Sequence, residues 1–207
     1  VHLRAVSSCR FWKSWCLFSG MIVLDDVGYA HLGCYGSPIE TPNIDALAAC
    51  GLRYSNWHAT ALCSPTRSCL LTGRNNHTNG MGIISELAQG YPGYDGVPKP
   101  SRGYISEILH EQGFATYALG KWHQVPAEEM TMAGPFDRWP LGRGFDRFYG
   151  FLGAETDQYH PDLVYDNHYV EPPAKEGYHL TEGLTDQAIA FLRDLRSSDP
   201  TKPCFMY

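Results

Sequence analysis

The stretch Ser101-Arg102-Gly103-Tyr104-Ile105-Ser106-Glu107-Ile108-Leu109-His110-Glu111-Gln112-Gly113, continuing as Phe114-Ala115-Thr116-Tyr117-Ala118-Leu119-Gly120-Lys121-Trp122-His123, decides the fold class. Ser101 predicts a helix cap, Ile105, Ile108 and Leu109 mark one helical face, and Gly113 ends the helix. Phe114 to Leu119 then reads as a strand, with Gly120-Lys121-Trp122-His123 coming off its end. A helix delivered straight into a strand is the building unit of an α/β layered fold.

The rest of the chain repeats that alternation. Met21-Ile22-Val23-Leu24 is a short apolar run suited to a buried strand of a parallel sheet, and Asp25-Asp26 follows at its carboxyl end. Thr41 to Gly51 reads as a helix, with Thr41 as N-cap, Pro42 at the first helical position and Gly51 as the stop. Leu52 to Ala59 suits a short strand. Ser64-Pro65 starts a second helix that closes at Gly73, with Leu70 and Leu71 buried. Residues 124–180, rich in Pro, Gly and aromatics, predict long ordered loops that wall a pocket. Thr181 begins a final helix striped by Leu184, Ala188, Phe191, Leu192 and Leu195, and Pro203 to Tyr207 begins another strand. The expected architecture is a mainly parallel sheet sandwiched by helices. Ligands of such sheets bind at the carboxyl ends of strands, where Asp25-Asp26 and Lys121-Trp122-His123 both sit.

Composition narrows the function classes. With 22 acidic against 16 basic residues, the net charge of −6 gives no general reason to expect nucleic acid or an anionic membrane as partner. A local cluster of cations can still bind a small anion. An apolar content of 43% excludes wholesale disorder. The cysteines at 9, 16, 34, 50, 63, 69 and 204 are odd in number and lack C-x-x-C spacing, which argues against a zinc ribbon or a complete disulfide framework. The longest apolar-rich stretch, Phe11 to Leu24, carries Lys13 and is too short for a transmembrane segment. Arg4 and Arg10 ahead of it imitate a secretory signal, but cleavage after the run would remove residues the fold needs. Residues 1–20 read as a leader or non-domain segment and 21–207 as the domain.

Several residues have the chemistry of a site. Cys63 lies just ahead of a helix start, where free amides favour anions, with Arg67 one turn on. That placement suits a nucleophile, or equally a small buried hydrophobe. Asp25 and Asp26 suit a metal site, or equally a turn or helix cap. Lys121 and His123 read as anion and proton handlers, or as surface and core-edge residues. Trp122 reads as packing, and His160 and His168 stay unassigned. Asn76-His77-Thr78 is a formal glycosylation sequon of a kind common by chance.

The run Cys63-Ser64-Pro65-Thr66-Arg67-Ser68-Cys69-Leu70-Leu71-Thr72-Gly73-Arg74 resembles the signature of the sulfatase family. So do Leu24-Asp25-Asp26-Val27-Gly28-Tyr29, Gly33-Cys34-Tyr35-Gly36, Thr41-Pro42-Asn43-Ile44-Asp45 and Gly120-Lys121-Trp122-His123, in the family's order. The segment Gly134-Pro135-Phe136-Asp137-Arg138-Trp139-Pro140-Leu141-Gly142-Arg143-Gly144-Phe145, with Tyr165-Asp166-Asn167, is most similar to bacterial arylsulfatases. The resemblance implies an alkaline-phosphatase-like fold and a small sulfate ester as substrate. It implies that a formylglycine-generating enzyme converts Cys63 to formylglycine, whose hydrated diol expels sulfate by re-forming the aldehyde. Asp25, Asp26 and the modified Cys63 would ligate a divalent cation, Ca2+ or Mg2+. Arg67 would hold the modified side chain, Lys121 would bind sulfate oxygens, and His123 would take a proton from the second hydroxyl. A phosphonate or phosphodiester hydrolase with the same machinery, and a catalytically silent fragment or partner-requiring binding protein, are the alternatives. The resemblance covers residues 21–207, the amino-terminal portion of a family member. Its further active-site His, Asp-Asn pair, second Lys and smaller subdomain have no counterpart before Tyr207, so the expected fold is incomplete and the chain alone is expected to turn over little. Oligomeric state and compartment, bacterial cytoplasm or periplasm, are left open.

Overall fold

Strand β2 (Ala115–Lys121) organises the architecture because its side chains alternate between two buried faces. Ala115 and Tyr117 enter one core, while Thr116 and Ala118 are buried on the opposite face. The computed structural model describes residues 18–207. These fall into two compact units, one of Ile22–Ala59 and the other of residues 18–21 with Thr60–Tyr207.

The larger unit contains β1 (Phe18–Gly20), β2, β3 (Arg147–Phe151), β4 (Leu163–Tyr165), β5 (His168–Val170) and β6 (Cys204–Met206). They form one sheet in the order β1-β6-β2-β3-β4-β5. Pairings among β1, β6, β2 and β3 are parallel, and β4 and β5 add an antiparallel edge. The final helix, Leu180–Ser198, packs its Phe191 on one face, 5.3 Å between ring centres from Tyr117. On the other face Phe145 sits among Trp122, Phe205 and Tyr207, with ring centres 5.8, 6.2 and 6.4 Å away. A helix over Ile105–Glu111 covers β2 and meets another over Cys63–Thr72. In chain order these helices are α2 (Cys63–Thr72), α3 (Ile105–Glu111) and α4 (Leu180–Ser198), following α1 (Pro42–Cys50) of the smaller unit. The mainly parallel sheet between helices is the class the sequence predicts.

Particular elements differ from the sequence reading. The strand expected over Met21–Leu24 lies three residues earlier, at Phe18–Gly20, because the ladder follows β6 from Cys204 to Met206. One further bond, from the Met21 amide to the Met206 carbonyl, closes it at 2.8 Å, and Ile22 beyond is 85% exposed. β1 therefore falls inside the stretch read as a leader, whose residues 1–17 lie outside the described residues. Leu52 to Ala59 forms no strand; its Leu52, Tyr54 and Trp57 are exposed, with no ladder among the described residues to hold them. Residues 124–180 hold β3, β4 and β5 as well as loops, because their Gly and Pro content obscured strands of three to five residues. Ser101 does not cap α3: the helix starts three residues later, where Glu107 accepts the Tyr104 amide at 2.6 Å. Its buried residue is Ser106, next to the buried cap Tyr104, and Ile108 is exposed.

In the smaller unit the Thr41–Asp45 motif works as a clamp. The Thr41 hydroxyl accepts the Gly33 amide at 2.8 Å and donates to Asp45 at 2.9 Å, and Asp45 accepts the Cys34 amide at 2.7 Å. A Cβ on Gly33 would lie 2.4 Å from an Asp45 carboxylate oxygen, so this clamp needs glycine there. Pro42 opens α1 and Gly51 follows it, as the sequence predicts.

Gly120 and Gly150 pair across β2 and β3, immediately before Lys121. A Cβ on Gly150 would lie 2.1 Å from the Gly120 carbonyl oxygen, a contact backbone atoms cannot yield to cheaply. Gly150→Ala is expected to destabilise the chain by about 1–3 kcal/mol, read as a lowered urea midpoint, whereas Gly153→Ala, whose nearest neighbour is 3.7 Å away, leaves the midpoint nearly unchanged.

Candidate active site

Helix α2 buries a polar face. Ser64, Arg67, Ser68 and Leu71, at helical spacing, are all nearly inaccessible, while Leu70, expected in the core, is only half-buried. Polar groups so deeply buried are stable only when bonded. Asn79 donates to the Ser68 hydroxyl at 2.9 Å and to the Thr72 hydroxyl at 2.7 Å. Arg67 donates through Nη1 to the Lys121 carbonyl at 2.8 Å and to the Tyr207 hydroxyl at 3.1 Å. A guanidinium on α2 thus grips the carboxyl ends of β2 and of the β6 segment.

Gln124 makes the second link. Burial pushes the Tyr104 hydroxyl well above the usual phenol range, so it stays protonated and donates to Gln124 Oε1 at 3.4 Å. That orients the amide, whose Nε2 donates to the Ser64 carbonyl at 2.9 Å and the His123 carbonyl at 2.7 Å. Cys63, a free half-buried thiol, is the first residue of α2, adjacent to Ser64. The start of α2 and the Lys121–His123 segment are therefore bonded to each other at two points.

His123 is fully buried and adopts a left-handed backbone, φ 52°. Its Nε2 lies 3.0 and 3.2 Å from the two Glu86 carboxylate oxygens, within hydrogen-bonding distance of both. Burial depresses the imidazole pKa more than the Glu86 hydrogen bond and charge restore it, and the Lys121 and Arg67 cations add to the depression. Burial alone would raise the Glu86 carboxyl; the His123 hydrogen bond, with the charges of His123 and Lys121, holds it below the usual range. Lys121 is half-buried at the end of β2. Trp122 is fully buried and donates to the Arg138 carbonyl at 2.8 Å, which is the packing role expected of it.

Cys63, Arg67, Lys121 and His123 thus belong to one neighbourhood of the larger unit. Asp25 and Asp26 lie in the smaller unit on an exposed turn, with Asp26 at φ 55°. Among the described residues no three His, Cys, Asp or Glu side chains gather as a metal site. Sequence reasoning missed Glu86, Gln124 and Tyr207. Gln124 stood beside a chosen residue, but Glu86 lies in a loop with no periodic or motif signal. The sequon residue Asn76 is buried and donates to the Met81 carbonyl at 3.1 Å. No helix among the described residues is long and apolar enough to cross a membrane.

The chain is 38% identical over 145 residues to human arylsulfatase D, covering 68% of this chain and 24% of that protein. It is 31% identical over 189 residues to the N-acetylglucosamine-6-O-sulfatase of Bacteroides thetaiotaomicron, covering 90% of this chain and 29% of that protein. A solved structure in complex with its substrate D-glucosamine-2-N,6-O-disulfate superposes with a TM-score of 0.67 at 28% identity, over 94% of this chain and 33% of that one. The chain spans about a quarter to a third of the length of these proteins. The sulfatase family model matches residues 21–207, and the chain belongs to the sulfatase family.

Proposed function

We propose that this chain is the amino-terminal part, residues 21–207, of the catalytic domain of a sulfuric ester hydrolase of arylsulfatase type. The observation that carries the reading is the Arg67 guanidinium bonded to the Lys121 carbonyl, which ties the Cys63 helix start to the Lys121–His123 strand end. Relatives named for aryl and for sugar sulfates make sulfate the common element of the substrate.

The residues fit a formylglycine at position 63. The side chain is half-buried and unpaired with another cysteine, at a helix start whose amides suit oxyanions. Hydrated there, it would supply a geminal diol whose second hydroxyl could assist sulfate release. Lys121 presents a cation to sulfate oxygens, and Arg67 adds positive potential while fixing the geometry. His123, held neutral by burial, accepts the proton of the second hydroxyl. Asp25 and Asp26 offer hard carboxylate oxygens suited to Ca2+ or Mg2+, yet two residues fall short of the roughly 6–8 oxygens calcium takes. Within the described residues they supply part of a cation site and no more.

Co-expression with a formylglycine-generating enzyme is expected to lower the mass of the residue 53–74 peptide by about 18 Da, the change from thiol to aldehyde; an unchanged mass contradicts the reading. Carried in a complete catalytic domain, the matured chain is expected to hydrolyse p-nitrophenyl sulfate faster than bis-p-nitrophenyl phosphate, and Cys63→Ala to abolish that turnover. Lys121→Ala and His123→Ala should each lower kcat/KM by about 100-fold or more. Because His123 must be neutral to accept a proton and its pKa is depressed, kcat/KM should stay flat through the ordinary imidazole range and fall only at lower pH.

A further inference from the structure

Glu86 has no part in the chemistry above, yet its placement is built. It sits in a single helical turn, Ser85–Leu87, within a loop whose returning segment is drawn back by bonds from the Gln89 amide to the Tyr94 carbonyl at 3.2 Å and from the Gly96 amide to the Gly80 carbonyl at 3.0 Å. Gly96 has φ 70°, and a Cβ there would lie 2.7 Å from the Ala88 methyl and 3.1 Å from the Ser85 Cα. The loop therefore closes tightly on the turn that carries Glu86. The carboxylate is 39% exposed, whereas the His123 ring it meets is wholly buried.

An ionised carboxylate only accepts hydrogen bonds, so His123 Nε2, facing both Glu86 oxygens, must carry the hydrogen. In the neutral ring Nδ1 then holds the lone pair. That atom is buried and has no hydrogen-bond partner among the described residues. Other charges acting on the ring, Lys121 and Arg67, are both cations and disfavour a proton on it. Glu86 is the anion that opposes them. We propose that Glu86 is a positioning residue: it locks His123 as the Nε2–H tautomer, leaves Nδ1 as the proton acceptor, and neutralises the imidazolium formed. In that step the hydroxyl O–H bond breaks, its electron pair stays on oxygen, the proton joins Nδ1, and Glu86 remains ionised throughout. The tautomer stands on this chain's own contacts; only the source of the proton rests on the sulfatase reading.

Long-range 1H–15N correlation of the ring-15N-histidine chain tests it, with His123→Asn assigning the signal. The parent should show His123 as the Nε2–H form. Glu86→Gln, which keeps an acceptor but loses the charge, should retain that tautomer and titrate at lower pH. Glu86→Ala should also titrate lower and show a population of the Nδ1–H form. Thermal midpoints of both variants report whether they fold, and the near-isosteric Gln variant preserves the test if Ala does not. In a matured, complete catalytic domain, Glu86→Ala should lower kcat for p-nitrophenyl sulfate at least about tenfold with little change in KM, and move the acid limb to lower pH. A His123 signal with the same tautomer and titration in both variants, or a parent in the Nδ1–H form, overturns the proposal. Absence of turnover in the parent bears on the sulfatase reading alone, because the ring signals decide Glu86 without it.

Discussion

A buried guanidinium is the constraint on which the larger unit depends. Arg67 is 4% exposed, and its Nη1 reaches the Lys121 carbonyl and the Tyr207 hydroxyl across the base of the site. Hydrogen bonds to a charged group contribute about 1.5–3 kcal/mol each. A buried charge stripped of its partners costs about 3–5 kcal/mol, so the arrangement has few alternatives. The same contact that holds α2 on the sheet links its first turn to the Lys121 end of β2.

Around that contact the structure removes slack. Gln124, oriented by Tyr104, donates to the carbonyls of Ser64 and His123, so the first turn of α2 cannot shift without breaking a buried hydrogen bond. Gly120 and Gly150 let β2 and β3 approach closely just before Lys121. Electrostatics follow from the same burial. Burial depresses the His123 imidazole pKa, and the Lys121 and Arg67 cations disfavour its protonation further. Glu86 at the rim offsets part of that field.

Much of this was legible in the sequence, and for physical reasons. Helices α1 and α2 announced themselves through Pro42, Gly51 and Gly73, residues whose backbone preferences act locally. The motifs that hold Cys63, Arg67, Lys121 and His123 were legible because each is contiguous in sequence. The strand near Met21 was placed too late because the apolar run there does not reveal where its partner ends; β6 fixes that, 186 residues downstream. The α3 cap was misplaced because the Glu107 carboxylate, reaching back to the Tyr104 amide, does the work assigned to Ser101. Glu86 was invisible for the same reason as β1: its partner is 37 residues away, and nothing adjacent to it in sequence encodes the pairing.

The account stands or falls on whether the residue at position 63 and the Lys121 ammonium serve one anion. A crystal structure of the matured protein grown with inorganic sulfate measures this directly. The account predicts a sulfate within about 3 Å of both Lys121 Nζ and the residue 63 side chain. Those two side chains pointing into separate spaces, with sulfate touching only one of them or neither, would contradict it.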